Sequence, residues 1–338
     1  MRTAENQSLL EYNTFGIDVT AKYFVEYASV EELRQLLASD LLRDNKFFHI
    51  GGGSNLLFIG NYEGVILHSV IGGVEETGRG GDEVLVRAGA GVKWDDLVAW
   101  AVGKGYGGME NLSGIPGEVG ATPVQNIGAY GREVKDIVRE VECVRVADGA
   151  LERFSAADCR FGYRDSVFKR AWKGKYIVVA VTYALSLRPE LHTGYGSLAD
   201  EIRRYPDPTV ASVREAVLAI RRRKLPEPKV LGNAGSFYLN PVVPAAKVDE
   251  LRRRYPDMPC YEAGRGRYKI PAGWMIEQCG WKGRSVGPVA VHGSQALVLI
   301  NKGGANGLDI INLSDSIRES VRGRFGIDLT PEVNIIFG

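Results

Sequence analysis

The sequence predicts an α+β protein of more than one domain, built around a long phosphate-bearing ligand. Three observations carry this. At 338 residues the chain exceeds what one small core supports, so two or three domains are expected. Strand-like runs alternate with helical stripes through the first half and are joined by glycine turns. Two small-residue runs, Gly51-Gly52-Gly53-Ser54-Asn55 and Ser113 to Tyr130, follow one another along the chain. Residues with little or no side chain let backbone N–H groups come close to a ligand. One such run is common in proteins that bind nothing; two, interleaved with Asn, Gln and Ser, point to a polyphosphate cofactor lying across a groove. Neither has the Gly-Lys-Ser/Thr of a P-loop, and neither fits G-x-G-x-x-G opening a helix, so a Rossmann mode is excluded.

In chain order, Lys46 to Ile50 reads as a buried strand feeding the first glycine run, and Gly64 to Leu67 as the next strand. Glu83 to Ala88 is a further strand. A helix follows, with Trp94, Leu97, Val98 and Ala101 on one face and Gly103 and Gly105 ending it. Val138 to Val146 and Tyr176 to Leu187 are strand-rich. Tyr205-Pro-Asp-Pro interrupts the pattern and marks a boundary. Ser212-Val-Arg-Glu215 reads as a capping box opening a helix with Val213, Ala216, Val217 and Ile220 inward. Its basic end, Arg221 to Lys224, has a bland explanation in charge favourable to a helix C-terminus. A helix is expected near Ala245 to Tyr255, a strand over Ala296 to Asn301 and a helix from Gly307 to Phe325. A last strand is expected at Pro331 to Phe337.

Composition excludes several classes. Net charge is +1, so no nucleic acid or anionic membrane is expected as partner. No apolar run approaches a membrane span, and the N-terminus lacks a signal-peptide core, so a cytoplasmic location is expected. Cys143, Cys159, Cys260 and Cys279 form no C-x-x-C pair and read as reduced thiols. His49, His68, His192 and His292 have no nucleophile-elbow context, and no spacing argues for a metal.

Three polar residues stand out from apolar surroundings: Arg164 in Phe-Gly-Tyr-Arg-Asp-Ser, Ser236 in Gly-Asn-Ala-Gly-Ser-Phe and Glu332 in Pro-Glu-Val. Singly, each has a dull reading as a surface ion-pair arginine, a turn serine and a solvated glutamate. Together with Gly51 to Leu57, Glu110 to Gly117, Pro123 to Gly131, Cys159 to Ser166, Lys224 to Lys229, Gly232 to Phe237, Ala272 to Ile276 and Gln295 to Asn301, they closely resemble the UDP-N-acetylenolpyruvoylglucosamine reductase (MurB) family. The resemblance covers nearly the whole chain, in order.

That resemblance implies a vanillyl-alcohol-oxidase/PCMH-type FAD domain in two subdomains, 1–68 and 69–204. A substrate domain over 205–330 and a C-terminal strand, 331–338, would complete the chain. It implies that NADPH reduces FAD, that flavin N5 passes hydride to C3 of the enolpyruvyl ether, and that Ser236 protonates C2. Arg164 would steady charge on the substrate carboxylate with its planar fork, and Glu332 would orient or polarise that group. Cofactor contacts would come from Ile50, Gly51, Gly52, Gly53, Ser54, Asn55, Ile115, Pro116, Gly117, Gly120, Ala121, Pro123, Gln125, Asn126, Gly128, Ala129, Tyr130 and Arg164. Substrate contacts would come from Tyr163, Tyr195, Arg221, Lys224, Asn240, Tyr261 and Gln295, which turns Lys224 from a helix cap into a diphosphate ligand and leaves Arg222 and Arg223 solvated. Tyr261 to Ile276 resembles the tyrosine-bearing loop of the family's longer type. No His lies in the first glycine run, so FAD is expected to be non-covalent, and nothing demands more than a monomer. The rival readings are another FAD-dependent oxidoreductase of sugars or hydroxy acids on the same scaffold, and a non-catalytic flavin-binding sensor.

Overall fold

The computed structural model describes residues 1–338, which divide into two compact units. The first comprises Met1–Gln7, Ala21–Gly53 and Tyr62–Arg223; the second comprises Ser8–Thr20, Ser54–Asn61 and Lys224–Gly338. The helix Val210–Lys224 thus groups, up to Arg223, with the first unit, beyond the boundary suggested by the Tyr205-Pro break.

The first unit holds two sheets. In one, Tyr62–Ser69 runs parallel to Thr20–Tyr27 on one side and to Phe47–Ile50 on the other. Strands buried on both faces read as near-continuous apolar runs, and Tyr62–Ser69 is buried at all but one position. Val30–Leu37 covers this sheet with Leu33 and Leu36 inward, and Ser29 caps it by accepting the Glu32 N–H at 3.1 Å. The other sheet is antiparallel, in the order Leu151–Ser155, Val138–Arg145, Tyr176–Ser186, Glu83–Gly89 and Val74–Gly80. Trp94–Gly103 packs there as its spacing predicts, with Trp94, Leu97, Val98 and Ala101 all buried. The edge strands Val74–Gly80 and Leu151–Ser155, mostly exposed and polar, gave no signal in the sequence reading.

Val210–Lys224 begins two residues before the expected capping box. The Thr209 N–H donates to Ser212 Oγ at 3.1 Å and the Ser212 N–H to Thr209 Oγ1 at 3.3 Å, so the reciprocal cap is Thr209–Ser212 and not Ser212–Glu215. Arg223 is not simply solvated: it forks onto buried Glu201, which Arg204 also reaches at 2.6 Å. The Arg223 hydrogen bond holds the Glu201 carboxyl below the usual range.

In the second unit, Gly307–Phe325 spans its predicted range. Asn306 and Asp309 form a capping box at its start, and Gly326 ends it at φ +63°. Two three-stranded sheets accompany it. The final strand, Asn334–Ile336, runs parallel to Leu56–Phe58.

Candidate functional site

In the first unit the two glycine runs face each other. Buried Ile50 ends its strand and delivers Gly51 and Gly52 to the turn that starts the first run. A Cβ added to Gly52 would lie 3.4 Å from Gly117 Cα, and one on Gly51 would lie 3.6 Å from Ala121 Cβ. Two backbones therefore approach closely, with the Glu118 carboxylate the one side chain that reaches both Gly51 and Gly52, and the small residues shape a cradle for a diphosphate. Gly120 is pressed against the adjoining strand end: its N–H donates to the Ala90 carbonyl at 2.9 Å, and a Cβ there would sit 2.8 Å from Ala90 Cβ. Pro116 and Ala121 are exposed and Pro123 is buried. Ile115 packs against the core. Gln125 follows Val124, whose carbonyl accepts from Ser166 Oγ at 2.5 Å.

The run ends in a knot of hydrogen bonds that also sets Arg164. Asn126 is fully buried with φ +49°; its Nδ2 donates to Gly162 O at 2.8 Å and its Oδ1 accepts the Lys135 N–H at 3.1 Å. Asn126 thus holds the fold of the site instead of presenting its amide to a ligand. Arg164, itself at φ +53°, donates from Nη2 to Gly128 O at 2.5 Å and from Nη1 to Asn126 O at 3.5 Å. Tyr163 stacks beside it, with its ring 5.6 Å from the guanidinium carbon. Non-glycine residues in the left-handed region are costly and persist where their surroundings over-determine them.

Gly128–Ala129 turns back on Arg132–Glu133 through Tyr130, also left-handed at φ +48°. Tyr130 and exposed Tyr195 line a shallow groove with His192. Arg221 points at Gly114 with Tyr130 and Asp95 nearby; burial lowers its pKa. Asp95 is occupied by Arg214, at 2.6 and 2.8 Å, and by the Gly114 N–H at 2.5 Å.

In the second unit Ser236 and Glu332 sit on adjoining extended segments. The segment Ser236 to Leu239 is flanked by Val298 on one side and by Thr330 to Glu332 on the other. The Phe237 N–H donates to Leu297 O and the Glu332 N–H to Phe237 O, both at 2.8 Å. Ser236 is exposed, and Asn233 fixes its approach by accepting the Gly235 N–H at 2.9 Å. Asn55 Nδ2 donates to Glu332 O at 3.3 Å, and the Asn55 carbonyl accepts from Asn334 N at 3.0 Å. Ser54 and Asn55, which continue the first glycine run past left-handed Gly53, thus belong with the glutamate segment.

Asn240 and Gln295 converge on the start of helix Ala272–Gln278: Asn240 Oδ1 accepts the Ala272 N–H at 2.9 Å, and Gln295 Oε1 lies beside Gly273. Tyr261 is exposed on the hairpin of Tyr261–Glu262 with Arg267–Lys269. Lys224 is exposed at the last turn of its helix.

His68 and Glu118, neither of them expected as a site residue from the sequence, pair beside the glycine runs. His68 Nε2 lies 3.0 Å from Glu118 Oε1 and its Nδ1 3.2 Å from Glu26 Oε1. Glu118 stands inside the second glycine run, where a charged residue among small ones was the available signal.

Residues 21–155 match the family described as FAD binding domain. With the facing glycine runs, this defines an FAD-binding α+β flavoprotein. Residues 227–336 match the C-terminal domain of UDP-N-acetylenolpyruvoylglucosamine reductase. Proteins of that name from Bacteroides fragilis and Chromobacterium violaceum are 53% and 46% identical, over 98% and 97% of this chain and 99% and 97% of their own. The chain belongs to the UDP-N-acetylenolpyruvoylglucosamine reductase family. Its fold is also that of the crystal structure of the Thermus caldophilus reductase (MurB), at TM-score 0.69 and 22% identity over 99% of this chain and 98% of that one. No helix is long and apolar enough to cross a membrane.

Proposed function

We propose that this chain reduces UDP-N-acetylglucosamine enolpyruvate to UDP-N-acetylmuramate, a step of peptidoglycan precursor synthesis, using NADPH and non-covalently held FAD. The observation that carries the reading is the pairing of the Ser236 and Glu332 segments within one unit, which keeps an exposed hydroxyl and a carboxylate on neighbouring extended backbones. Bound FAD, once reduced by NADPH, supplies the hydride. The facing runs Gly51 to Gly53 and Ile115 to Tyr130 offer backbone donors to its diphosphate.

Adding hydride to C3 of an alkene conjugated to a carboxylate pushes charge onto that carboxylate. Arg164, held by carbonyls in a fixed orientation, is always charged and suits that group. Ser236 gives its proton to C2; a hydroxyl is a weak acid, and it acts because the neighbouring carbon is strongly basic at that moment. Glu332 orients the carboxylate. Tyr163, Tyr195, Arg221, Lys224, Asn240, Tyr261 and Gln295 hold the UDP-sugar, and the Tyr261 hairpin folds over it in the manner of the longer type. Asn240 and Gln295 do so from beside the start of helix Ala272–Gln278. The functional division is an FAD region of two parts, 1–68 and 69–204, a substrate region from 205 to 330 and the strand 331–338 bearing Glu332. The protein works as a cytoplasmic monomer.

Anaerobic spectroscopy tests this. NADPH should bleach the flavin band, and the enolpyruvyl substrate should restore it stoichiometrically. Bleaching without recovery would leave a flavoenzyme with another substrate. Absence of flavin after reconstitution would overturn the reading of both glycine runs.

A further inference from the structure

Behind the facing glycine runs lies a chain of four charged groups. Glu26 and His68 are directly opposite in adjacent parallel strands, and Ile50, the residue before Gly51, is the partner of His68 on its other side. His68 is therefore set in the sheet next to the point where the first run begins. Arg2 Nη1 donates to Glu26 Oε2 at 2.9 Å. The other Glu26 oxygen meets His68 Nδ1, and His68 Nε2 meets Glu118 Oε1. The side chains of His68 and Glu118 are 11% and 12% exposed, so water does little to screen them. A Cβ on Gly51 would lie 3.4 Å from Glu118 Oε2, and one on Gly52 would lie 3.7 Å from Oε1. The carboxylate thus rests against the first glycine run while its backbone belongs to the second.

A neutral imidazole has one donor and one lone pair. Here both ring nitrogens point at carboxylates, so a neutral ring would set a lone pair against an oxyanion. The geometry calls for imidazolium. Burial alone would lower the His68 pKa, but Glu118 and Glu26 outweigh it and the pKa lies above the ordinary value. The other groups facing this position are Tyr27 and His49, on the two strands that flank Tyr62–Ser69. They are bonded to each other at 2.8 Å. Burial and the charge on His68 bring His49 down to about 4, so it stays neutral, and burial raises Tyr27, which stays protonated. Phe24 packs its ring 6.2 Å from that of His68 and adds no charge. With His68 protonated, two cations and two carboxylates cancel. With His68 neutral, a carboxylate stands uncompensated against the run that receives an anionic ligand.

We propose that His68 is a positioning residue for the flavin-diphosphate cradle: its imidazolium holds Glu118 against the Gly51–Gly52 turn and cancels its charge, so FAD binds more tightly while His68 carries its second proton. The inference rests on the reading of the two glycine runs as the diphosphate cradle.

The experiment is FAD titration of the full-length apoprotein, followed by flavin fluorescence between about pH 6 and pH 9. Wild type should lose affinity as pH rises through the raised His68 pKa. His68→Gln, which can bond both carboxylates but carries no charge, should bind FAD about tenfold more weakly at neutral pH. Glu118→Gln should bind with no pH dependence over this range, and the double variant should match Glu118→Gln. In the wild-type chain, binding and protonation are reciprocal, so FAD should raise the His68 titration point seen in long-range ¹⁵N NMR; this needs no variant to fold. His68→Gln affinity equal to wild type, Glu118→Gln keeping the wild-type pH profile, or a His68 titration unmoved by FAD would each overturn the inference. Gly51→Asp, which places a fixed carboxylate in the run, separates the two levels. If it loses FAD while His68→Gln does not, the cradle reading stands and the role of His68 falls. If neither changes, both fall.

Discussion

The backbone N–H of Glu332 donates to the carbonyl of Phe237 at 2.8 Å, so the glutamate is one hydrogen bond from the residue that follows Ser236. The hydroxyl and the carboxylate are thereby placed by main chain, which does not change when either side chain is replaced. Substitutions at these two positions can therefore be read as chemistry.

Ser236→Ala should melt like wild type, because the side chain is exposed. Flavin reduction by NADPH should be unchanged. Single-turnover reduction of the enolpyruvyl substrate should slow by about 10³-fold, the usual worth of a positioned acid. Stopped-flow flavin absorbance separates the two half-reactions, and an unchanged second half-reaction would remove Ser236 from the mechanism.

Arg164→Lys keeps the charge and loses the fork that spans the Gly128 and Asn126 carbonyls. The expected result is a fall in kcat of about 10²-fold with a smaller change in KM. Steady-state kinetics would show it; a change confined to KM would mean that Arg164 only binds.

Asp95 links the helix Val210–Lys224 to Gly114 at the start of the second glycine run. Burial alone would raise its carboxyl, but the Arg214 fork and the Gly114 N–H outweigh this and the pKa lies below the usual value. A lowered folded-state pKa gives stability that is complete above the unfolded value of about 3.9 and fades as pH falls through the folded one. Asp95→Asn should cost about 1 kcal/mol at neutral pH, because the carboxylate is 36% exposed and its pairing partly screened, and should flatten the acid limb below about pH 4. Urea unfolding at several pH values would check both.

Gly120→Val would force a branched side chain onto Ala90, where even a single Cβ comes within 2.8 Å. The loss should be about 2 kcal/mol or more, together with weaker FAD retention. Thermal melting and flavin content after gel filtration are the readouts.

Much of this was legible along the chain. Gly307–Phe325 spans its predicted range because its capping residues and its apolar stripe both lie within one local segment. The glycine runs were legible because closeness of backbone is written in residue size. The exposed edge strands were not, since their alternation carries too little apolar contrast. Arg223 looked solvated because its partner, Glu201, lies on a separate short helix. His68 carried no local signal at all: its meaning comes from a strand partner and from a loop far along the chain. Pairings of that kind are set by topology, and no window of sequence contains them.

The second unit draws on Ser8–Thr20 and Ser54–Asn61 as well as on Lys224–Gly338, and this has a consequence for synthesis on the ribosome. Leu56–Phe58 emerges early, yet its parallel partner, Asn334–Ile336, is made hundreds of residues later. Through most of translation that early strand edge waits without its mate, open to chaperones or to wrong partners. The glutamate segment arrives with the closing strand, so a truncated nascent chain lacks the carboxylate and the strand together. Pairing of Leu56–Phe58 and acquisition of Glu332 are then a single late event.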